Sequence, residues 1–204
     1  MIKKFTLNLI DFQNDFVAKN GALTFDNGLG DKVLIKRMDD FLTQMPCNLF
    51  TSAIVTYDTH IRETYFSTKE GETFPIHCEK GTKGWQLAVN PEQIRFKIPI
   101  IQNLKKSTYD MWEGSIDAIN QKIINNTDEV VLCGVASDFC NKAALLGWLQ
   151  RDIPVTILTN LTRGILKQTE DILKEQPFKQ AVSKGKIKTT TAQAFLKQFQ
   201  NQRG

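Results

Sequence analysis

Short apolar segments rich in β-branched residues alternate along the chain with segments whose apolar residues recur at a helical period. Strands that alternate with helices pair in parallel through right-handed crossovers, so the pattern predicts an α/β layered sheet. The run "VVLCGV" is apolar without alternation, which is typical of a central strand covered on both faces. The predicted strands span residues 5–10, 49–57, 129–135, 154–159 and 185–190, and the predicted helices span 30–45, 115–126 and a segment that begins near Ser137.

The region 58–115 interrupts this alternation. It holds both histidines, three of the six prolines and two of the three tryptophans, with little periodicity. A loop-rich region of this size inside a compact domain is usually functional. Binding residues of an open α/β sheet gather beyond the carboxyl ends of its strands. Asp11, Asp58, His60 and Cys140 each follow such an end, so we expect the site there.

Composition narrows the class of protein without choosing a function. A length of 204 residues with no linker rich in Pro, Gly or Ser predicts a single domain, 1–204. The 26 basic and 22 acidic residues are scattered, apart from a lysine-rich C-terminal quarter that we interpret as a solvated surface rather than a nucleic-acid interface. No apolar run suits a membrane span, and the apolar stretch before Asp11 is too short for a signal peptide. We therefore expect a cytoplasmic enzyme or binding domain with reduced cysteines.

Cys140 is placed where a nucleophile could act. A strand ends near Val135, and the turn "ASDFC" leads into a helix for which Ser137 or Asp138 is a plausible N-cap. In the first helical turn a thiol should ionise more easily than a free one, and the amides there could hold an oxyanion. A small buried residue that packs the start of the helix is the alternative. Cys133 lies mid-strand and is expected to be a core thiol.

The base for Cys140 depends on what the two histidines do. His60 and His77 lie among carboxylates, and mixed imidazole and carboxylate ligands suit zinc, iron(II) or manganese(II), although two unrelated histidines would look the same. If they serve a metal, the base is a carboxylate, and Asp11 at the end of a buried strand is the natural choice. Burial there would raise its proton affinity, and Lys105 or Lys106 could be its partner. The alternative is an N-capping aspartate and a solvated lysine pair.

Four segments together resemble the nicotinamidase branch of the isochorismatase-like cysteine hydrolases, from near residue 7 to about 165. "LIDFQNDF" is similar to the family's catalytic aspartate segment, "KSTYDMW" to its lysine segment and "GVASDFC" to its nucleophile turn. The resemblance implies the catalytic set Asp11, Lys106 and Cys140. It also implies a three-layer, doubly wound and mostly parallel sheet with helices on both faces.

"FPIHCEKGTKGWQL" is similar to the segment around a metal-ligating histidine of nicotinamidases. The resemblance implies that Asp58, His60 and His77 are metal ligands, with zinc as the expected ion and iron or manganese as alternatives. Many nicotinamidases have a further histidine shortly after the aspartate–histidine pair, but this chain reads "IRETYFS" there. Some relatives use a glutamate seven residues before the last histidine, which is Glu70. Glu63 and a water are the alternatives.

The activity that the resemblance implies is hydrolysis of nicotinamide to nicotinate and ammonia through a cysteine thioester, a step of NAD salvage. The backbone amides of Ala136 and Cys140 would bind the oxyanion, with a cis peptide bond between Val135 and Ala136. Phe16 and Phe74 match pocket positions that would hold the flat ring. A homo-oligomer is possible. The alternatives are a hydrolase of another small amide, ureide or carbamoyl compound, and an inactive ligand-binding relative.

Overall fold

The computed structural model describes residues 3–200. Its strands form one sheet in the order β3-β2-β1-β4-β5-β6, and every neighbouring pair is parallel. The predicted three-layer, doubly wound class is confirmed, and the sheet is parallel throughout the described residues. The strands are β1 Phe5–Ile10, β2 Phe50–Asp58, β3 Ile101–Lys106, β4 Glu129–Val135, β5 Val155–Arg163 and β6 Ile187–Thr190.

The chain begins at the centre of the sheet and winds outward twice. From β1 it passes to β2 and β3 at one edge, then returns to β4 on the other side of β1 and continues to β6. Both β1 and β4 are buried along their whole length, as expected for strands covered on both faces. The reversal of winding lies between β1 and β4, where Leu9 faces Cys133 and Ile10 faces Gly134. A crevice at the carboxyl end of such a reversal is the usual binding site of this architecture.

Helices cover both faces of the sheet. α2 packs its buried residues Leu34, Met38, Phe41 and Leu42 on one face, together with Phe5, Leu7 and Leu9 of the sheet. On the other face, α6 contributes Trp148 to the second core. None of the helices in residues 3–200 is long and apolar enough to cross a membrane. The helices are α1 Asn14–Val17, α2 Lys32–Gln44, α3 Arg62–Tyr65, α4 Glu92–Arg95, α5 Gln121–Asn125, α6 Cys140–Gln150, α7 Thr169–Ile172, α8 Phe178–Ser183 and α9 Ala192–Gln200.

Two elements differ from the sequence expectations around the edge of the sheet. β3 was not predicted, because "IQNLKK" contains no apolar run, and only Leu104 and Lys106 of this strand are buried. The helix expected over 115–126 is present only as α5. The residues before it instead follow the open edge of β3, where the Ile116 amide donates to the Lys105 carbonyl at 2.8 Å. An unpaired strand edge is a liability, and this segment covers it.

Candidate active site

Cys140 is the first residue of α6 and lies at the carboxyl end of β4, where it is buried. The Val135–Ala136 peptide bond that precedes the turn is cis, as the resemblance implies. Neither expected N-cap is correct. The Ser137 hydroxyl pairs with the Thr169 hydroxyl at 3.1 Å, and the residue at the N-cap position is Phe139, without a side-chain cap. Both side chains form hydrogen bonds with distant residues instead of capping α6.

The Asp138 carboxylate has a different role from the predicted cap. It accepts hydrogen bonds from the backbone amides of Ile165, Leu166 and Lys167 at 2.9, 2.7 and 3.0 Å. These amides belong to the loop after β5, so Asp138 connects the turn that carries Cys140 to that loop. Sequence reasoning missed this contact, because the partners lie far along the chain.

Lys106 lies at the end of β3 and reaches into the same place, with only 1% of its surface exposed. Its Nζ lies 2.7 Å from Asp11 Oδ2 and 3.5 Å from Cys140 Sγ. It also lies 3.3 Å from Asp58 Oδ1. The neighbouring Lys105 points outward and approaches Asp117 at 4.0 Å. Of the two lysines left open by the spacing, the structure therefore brings Lys106 to the thiol and leaves Lys105 at the surface.

Asp11 follows β1 and is completely buried, with a positive φ of 42°. The Thr56 hydroxyl donates to Asp11 Oδ1 at 2.7 Å and accepts from the Asp11 amide at 3.0 Å. The carboxylate is therefore fixed by β2 on one side and by the ammonium of Lys106 on the other. Burial raises the pKa of Asp11, and Lys106 opposes this shift only in part. The predicted rise in its proton affinity has the expected direction.

The Cys140 thiol does not ionise easily, contrary to the expectation from its place at a helix start. Burial is the main reason that its pKa lies well above the ordinary value, and the carboxylates of Asp11 and Asp58 raise it further. Lys106 acts in the opposite direction without reversing the shift. The thiol is therefore neutral at rest, and the Lys106 ammonium lies beside both the sulfur and the Asp11 carboxylate. Burial of the pocket outweighs the helix dipole, which is worth about 0.3–1 kcal/mol at an exposed end.

A second group of side chains lies beside this set. Asp58, His60, Glu70 and His77 each offer a ligand atom, and all four atoms lie within 4.8 Å of one another. Asp58 Oδ2 is 2.9 Å from His60 Nε2 and 3.0 Å from His77 Nε2, while Glu70 Oε1 is 3.5 Å from His77 Nε2. Glu63, the rival, is exposed on α3 and lies outside the group. The structure thus brings together the four residues that the resemblance implied.

The donor chemistry of this group fits a divalent metal ion. Two imidazoles and two carboxylates form a ligand set that zinc, iron(II) or manganese(II) accepts. His77 Nδ1 lies 3.0 Å from the Pro75 carbonyl, an acceptor that directs Nε2 toward the other three side chains. Lys106 and both imidazoles overcome the effect of burial and lower the pKa of Asp58, so its carboxylate stays ionised. Burial would lower the pKa of His77, but hydrogen bonds that its imidazole donates to the Asp58 and Glu70 carboxylates outweigh burial and raise it to about 10.

Aromatic rings pack on His77 and on Phe139, the residue before the thiol. The Phe16 ring lies 5.4 Å from the His77 ring, and the Phe74 ring lies 6.3 Å from Phe139. Tyr109 also packs on Phe139, at 5.2 Å. Phe16 and Phe74 were expected here, whereas Phe139 and Tyr109 were not. Both missed residues lie inside quoted motifs, but no periodicity in a turn shows which way a ring points.

Two backbone amides of the turn that carries Cys140 are without acceptors within the part of the chain that the structure describes. In the described residues 3–200, neither the Ala136 amide nor the Cys140 amide donates to a backbone or side-chain acceptor. Free amides beside a buried thiol are the donors that an oxyanion needs. The geometry can therefore support nucleophilic attack by sulfur on a carbonyl group.

The doubly wound sheet with a cysteine at its switch point defines a class, the isochorismatase-like cysteine hydrolases. The family model described as Isochorismatase domain matches residues 6–193, so the chain belongs to the isochorismatase family. A nicotinamidase of Saccharomyces cerevisiae is 27% identical over 203 residues, which cover 83% of this chain and 92% of that protein. With this relative and the hydrolase fold, the prediction of an amidase-type enzyme is confirmed.

Solved structures agree with the fold. PnC1 of L. infantum in complex with nicotinate has a TM-score of 0.69 at 20% identity, over 94% of each chain. A pyrazinamidase of Pyrococcus horikoshii in complex with zinc has a TM-score of 0.64 at 23% identity, over 92% of this chain and 99% of that one. At such identities these neighbours support the architecture, while the assignment of a substrate depends on the site.

Proposed function

We propose that this protein is a metal-dependent amidohydrolase that converts nicotinamide to nicotinate and ammonia. The observation that carries the proposal is the position of the Lys106 ammonium. It lies within 3.5 Å of the thiol of Cys140, the carboxylate of Asp11 and the candidate metal ligand Asp58. A nucleophile, a base and a metal-ligand group thus share one buried cation. The similarity to nicotinamidases supports nicotinamide over other small amides.

The candidate ligands Asp58, His60, Glu70 and His77 would hold one divalent ion, zinc by preference and iron or manganese as alternatives. A bound ion supplies a Lewis-acid contact that orients the pyridine ring, either directly or through a water. Phe16 and Phe74 would enclose the ring faces. The carboxamide group would then lie between the thiol and the free amides. Nicotinate bound to PnC1 of L. infantum supports a pyridine carboxylate as a ligand of this fold.

The chemical steps belong to residues of the chain. Asp11 removes the proton of the Cys140 thiol as sulfur forms a bond to the carboxamide carbon. The amides of Ala136 and Cys140 stabilise the negative oxygen of the tetrahedral intermediate. Asp11 then passes its proton to the nitrogen as the carbon–nitrogen bond breaks, which releases ammonia and leaves a thioester. Asp11 next takes a proton from water as the water oxygen bonds to the thioester carbon. The carbon–sulfur bond then breaks, Asp11 returns this proton to sulfur, and the acid leaves as nicotinate after losing its own proton to solvent.

The raised pKa values of Asp11 and Cys140 support this sequence of proton transfers. A base acts best when its pKa lies near the working pH, and burial moves Asp11 in that direction. Because the thiol is neutral at rest, its proton must leave during the attack, and Asp11 is a carboxylate that shares the Lys106 ammonium with the thiol. Lys106 would hold the charge balance constant, since its own pKa stays well above the ordinary value despite burial, through the pairing with Asp11 and Asp58.

The cellular setting is part of the proposal. All four cysteines are free thiols, which supports a reducing compartment such as the cytoplasm. A role in NAD salvage, with a small amide as partner and no nucleic acid, follows from the proposed substrate. A homo-oligomer remains a prediction.

The test is ammonia release from nicotinamide by purified protein, with and without a chelator. We expect activity that is lost on chelation and restored by zinc, iron(II) or manganese(II). Cys140→Ala should abolish turnover while metal content and the unfolding midpoint stay near wild type. Cys47→Ala is the matched control, since it removes an exposed thiol.

Full activity of metal-free protein would refute the metal's role, and turnover by Cys140→Ala would refute the assignment of Cys140 as the nucleophile. A metal-loaded protein that hydrolyses carbamoyl compounds but not nicotinamide would support the alternative substrate class.

A further inference from the structure

The segment "LIDFQNDF" contains more polar residues than the proposed chemistry uses. Asp11 acts as the base and Phe16 packs on His77, which leaves Gln13, Asn14 and Asp15 without a role. Gln13 is completely buried, and its side chain is directed at another part of the site. Gln13 and Asp15 contact the backbone of candidate metal ligands or of their neighbours, and Asn14 contacts the loop after His77.

Gln13 holds the backbone of Asp58 from both sides. Its Oε1 accepts a hydrogen bond from the Asp58 amide at 2.8 Å, and its Nε2 donates to the Asp58 carbonyl at 2.9 Å. The same Nε2 donates to the Trp85 carbonyl at 2.8 Å. The Gln13 side chain thus hydrogen-bonds both the amide and the carbonyl of Asp58, and it connects this candidate ligand to the loop after His77. Rotation of the Asp58 backbone would leave buried polar groups unpaired.

Asp15 holds the residue that follows His77. Its Oδ2 accepts a hydrogen bond from the Cys78 amide at 2.7 Å, while its Oδ1 accepts from the Ala22 amide at 3.1 Å. Cys78 has a positive φ of 46°, so the chain turns sharply just after the histidine. The Cys78 carbonyl in turn accepts from the His60 amide at 3.1 Å. Asp15 therefore holds the backbone of Cys78, which follows His77 in the chain and is hydrogen-bonded to the backbone of His60.

Asn14 and a glycine complete this support. Asn14 Nδ2 donates to the carbonyls of Lys83 and Gln86 at 2.9 and 3.1 Å. Gly84 lies so close to Asp15 that a Cβ built on it would be 2.1 Å from Oδ2. The absence of a side chain at Gly84 is what lets the carboxylate reach the Cys78 amide.

We propose that Gln13 and Asp15 are positioning residues of the metal centre, which set the separation of Asp58, His60 and His77 before the ion binds. This inference rests on the metal centre of the proposed function. Neither residue contacts the candidate ligand atoms themselves; both act through backbone groups of the ligands and their neighbours. Support residues of this kind typically change metal affinity by about 10–100-fold when they are replaced.

The test measures zinc affinity by competition with a chromophoric chelator. Asp15→Asn keeps the size of the side chain but leaves one of the two amides facing an NH2 group. Gln13→Met keeps the length and removes every polar contact with Asp58. Gly84→Ala displaces the Asp15 carboxylate without removing it. Asp138→Asn is the matched control. This carboxylate also accepts hydrogen bonds from backbone amides, but those amides belong to the loop at 165–167 and not to a segment with candidate metal ligands.

We expect zinc affinity about 10–100-fold weaker for the Gln13, Asp15 and Gly84 variants, and unchanged for the Asp138 variant. Urea unfolding of the metal-free proteins gives the stability baseline. Folded variants that bind zinc as wild type does would overturn the inference, and so would a loss of metal-free stability without a loss of affinity. If Asp15→Asn does not fold, Gly84→Ala decides. Wild-type protein that binds no zinc, iron(II) or manganese(II) would overturn the metal centre itself, a different failure.

Discussion

The Lys106 ammonium is the charge on which the site depends, and its removal gives the sharpest test. In Lys106→Met the Asp11 carboxylate keeps the Thr56 hydroxyl as a hydrogen-bond donor but loses the cation at 2.7 Å. Asp58 loses a contact at 3.3 Å but keeps both imidazoles. Removal of one partner of a buried ion pair costs about 3–5 kcal/mol, because the remaining charge has no compensation. Proteins have about 5–15 kcal/mol of stability in total, so this loss should be large.

Urea unfolding at pH 7 of wild type, Lys106→Met, Asp11→Asn and the double variant measures the pair. The double variant removes both charges, so it should lose less stability than the sum of the single variants, with a coupling of about 1–3 kcal/mol. Lys105→Met is the control. That side chain is partly exposed, and its replacement should change the free energy of unfolding by no more than about 0.5 kcal/mol.

The same variants should separate stability from catalysis. Without the ammonium, burial raises the pKa of Asp11 further, and a neutral acid cannot take the thiol proton. We therefore expect Lys106→Met to lose about 10²–10⁴-fold in kcat, the usual contribution of a general base. A Lys106→Met protein that unfolds within about 1 kcal/mol of wild type, or additive losses in the double variant, would refute the reasoning.

Two further predictions concern contacts outside the proposed chemistry. Asp138→Asn weakens the connection between the turn that carries Cys140 and the loop after β5. We expect kcat to fall about tenfold, equivalent to roughly 1.4 kcal/mol, while the zinc content stays unchanged. An unchanged kcat in steady-state kinetics would contradict this. Burial would raise the pKa of Asp31, but hydrogen bonds from the Leu34 amide and Arg163 lower it below its ordinary value. Its ionised form therefore stabilises the fold at neutral pH, and this contribution is lost as the pH falls through the folded-state pKa. Asp31→Asn should lower the free energy of unfolding at pH 7 by less than about 1 kcal/mol, and the difference from wild type should shrink below about pH 4. Urea titrations at both pH values measure it, and an equal difference at both would disprove the assignment.

Those strands that are buried on both faces could be predicted from the sequence. β4 contains the unbroken apolar run that burial on both faces favours, whereas β1 reads FTLNLI and buries the polar Thr6 and Asn8 as hydrogen-bonded residues. β3 could not be predicted in this way, because it lies at the edge and pairs only with β2 among the described strands. Its identity as a strand depends on that pairing and on the cover given by the segment near Ile116. Both are tertiary contacts without a local signal.

The site was predictable to the extent that strand ends meet. Asp11 follows β1 and Asp58 ends β2, so a parallel sheet brings these two carboxylates together whatever the loops do. Lys106 ends β3, which no apolar pattern predicted, so only its motif pointed to it. The choice between Glu63 and Glu70 was different, because both lie in a region without periodicity. Its answer depends on how the chain folds between α3 and His77. The Asp138 contact was missed for a related reason, since a local cap and a distant loop compete for the same carboxylate.

The behaviour of the Cys140 thiol was the clearest error, and its cause is burial. Position in a helix was visible in the sequence, but desolvation and the charge of two carboxylates were not. The sum of these effects depends on distances between four segments of chain. A motif therefore pointed to this cysteine, while a rule about helix ends gave the wrong ionisation state.

The high pKa of the resting Cys140 thiol has a consequence for the lifetime of the protein under oxidative conditions. Peroxides react with the thiolate, so a sulfur that stays protonated until an amide is bound reacts slowly with them. Cys78 and Cys133 are also buried, with pKa values raised chiefly by desolvation. The exposed Cys47 lies at the opposite end of the sheet, before β2. An oxidant should therefore modify Cys47 first, at a site remote from the pocket, and leave Cys140 reduced.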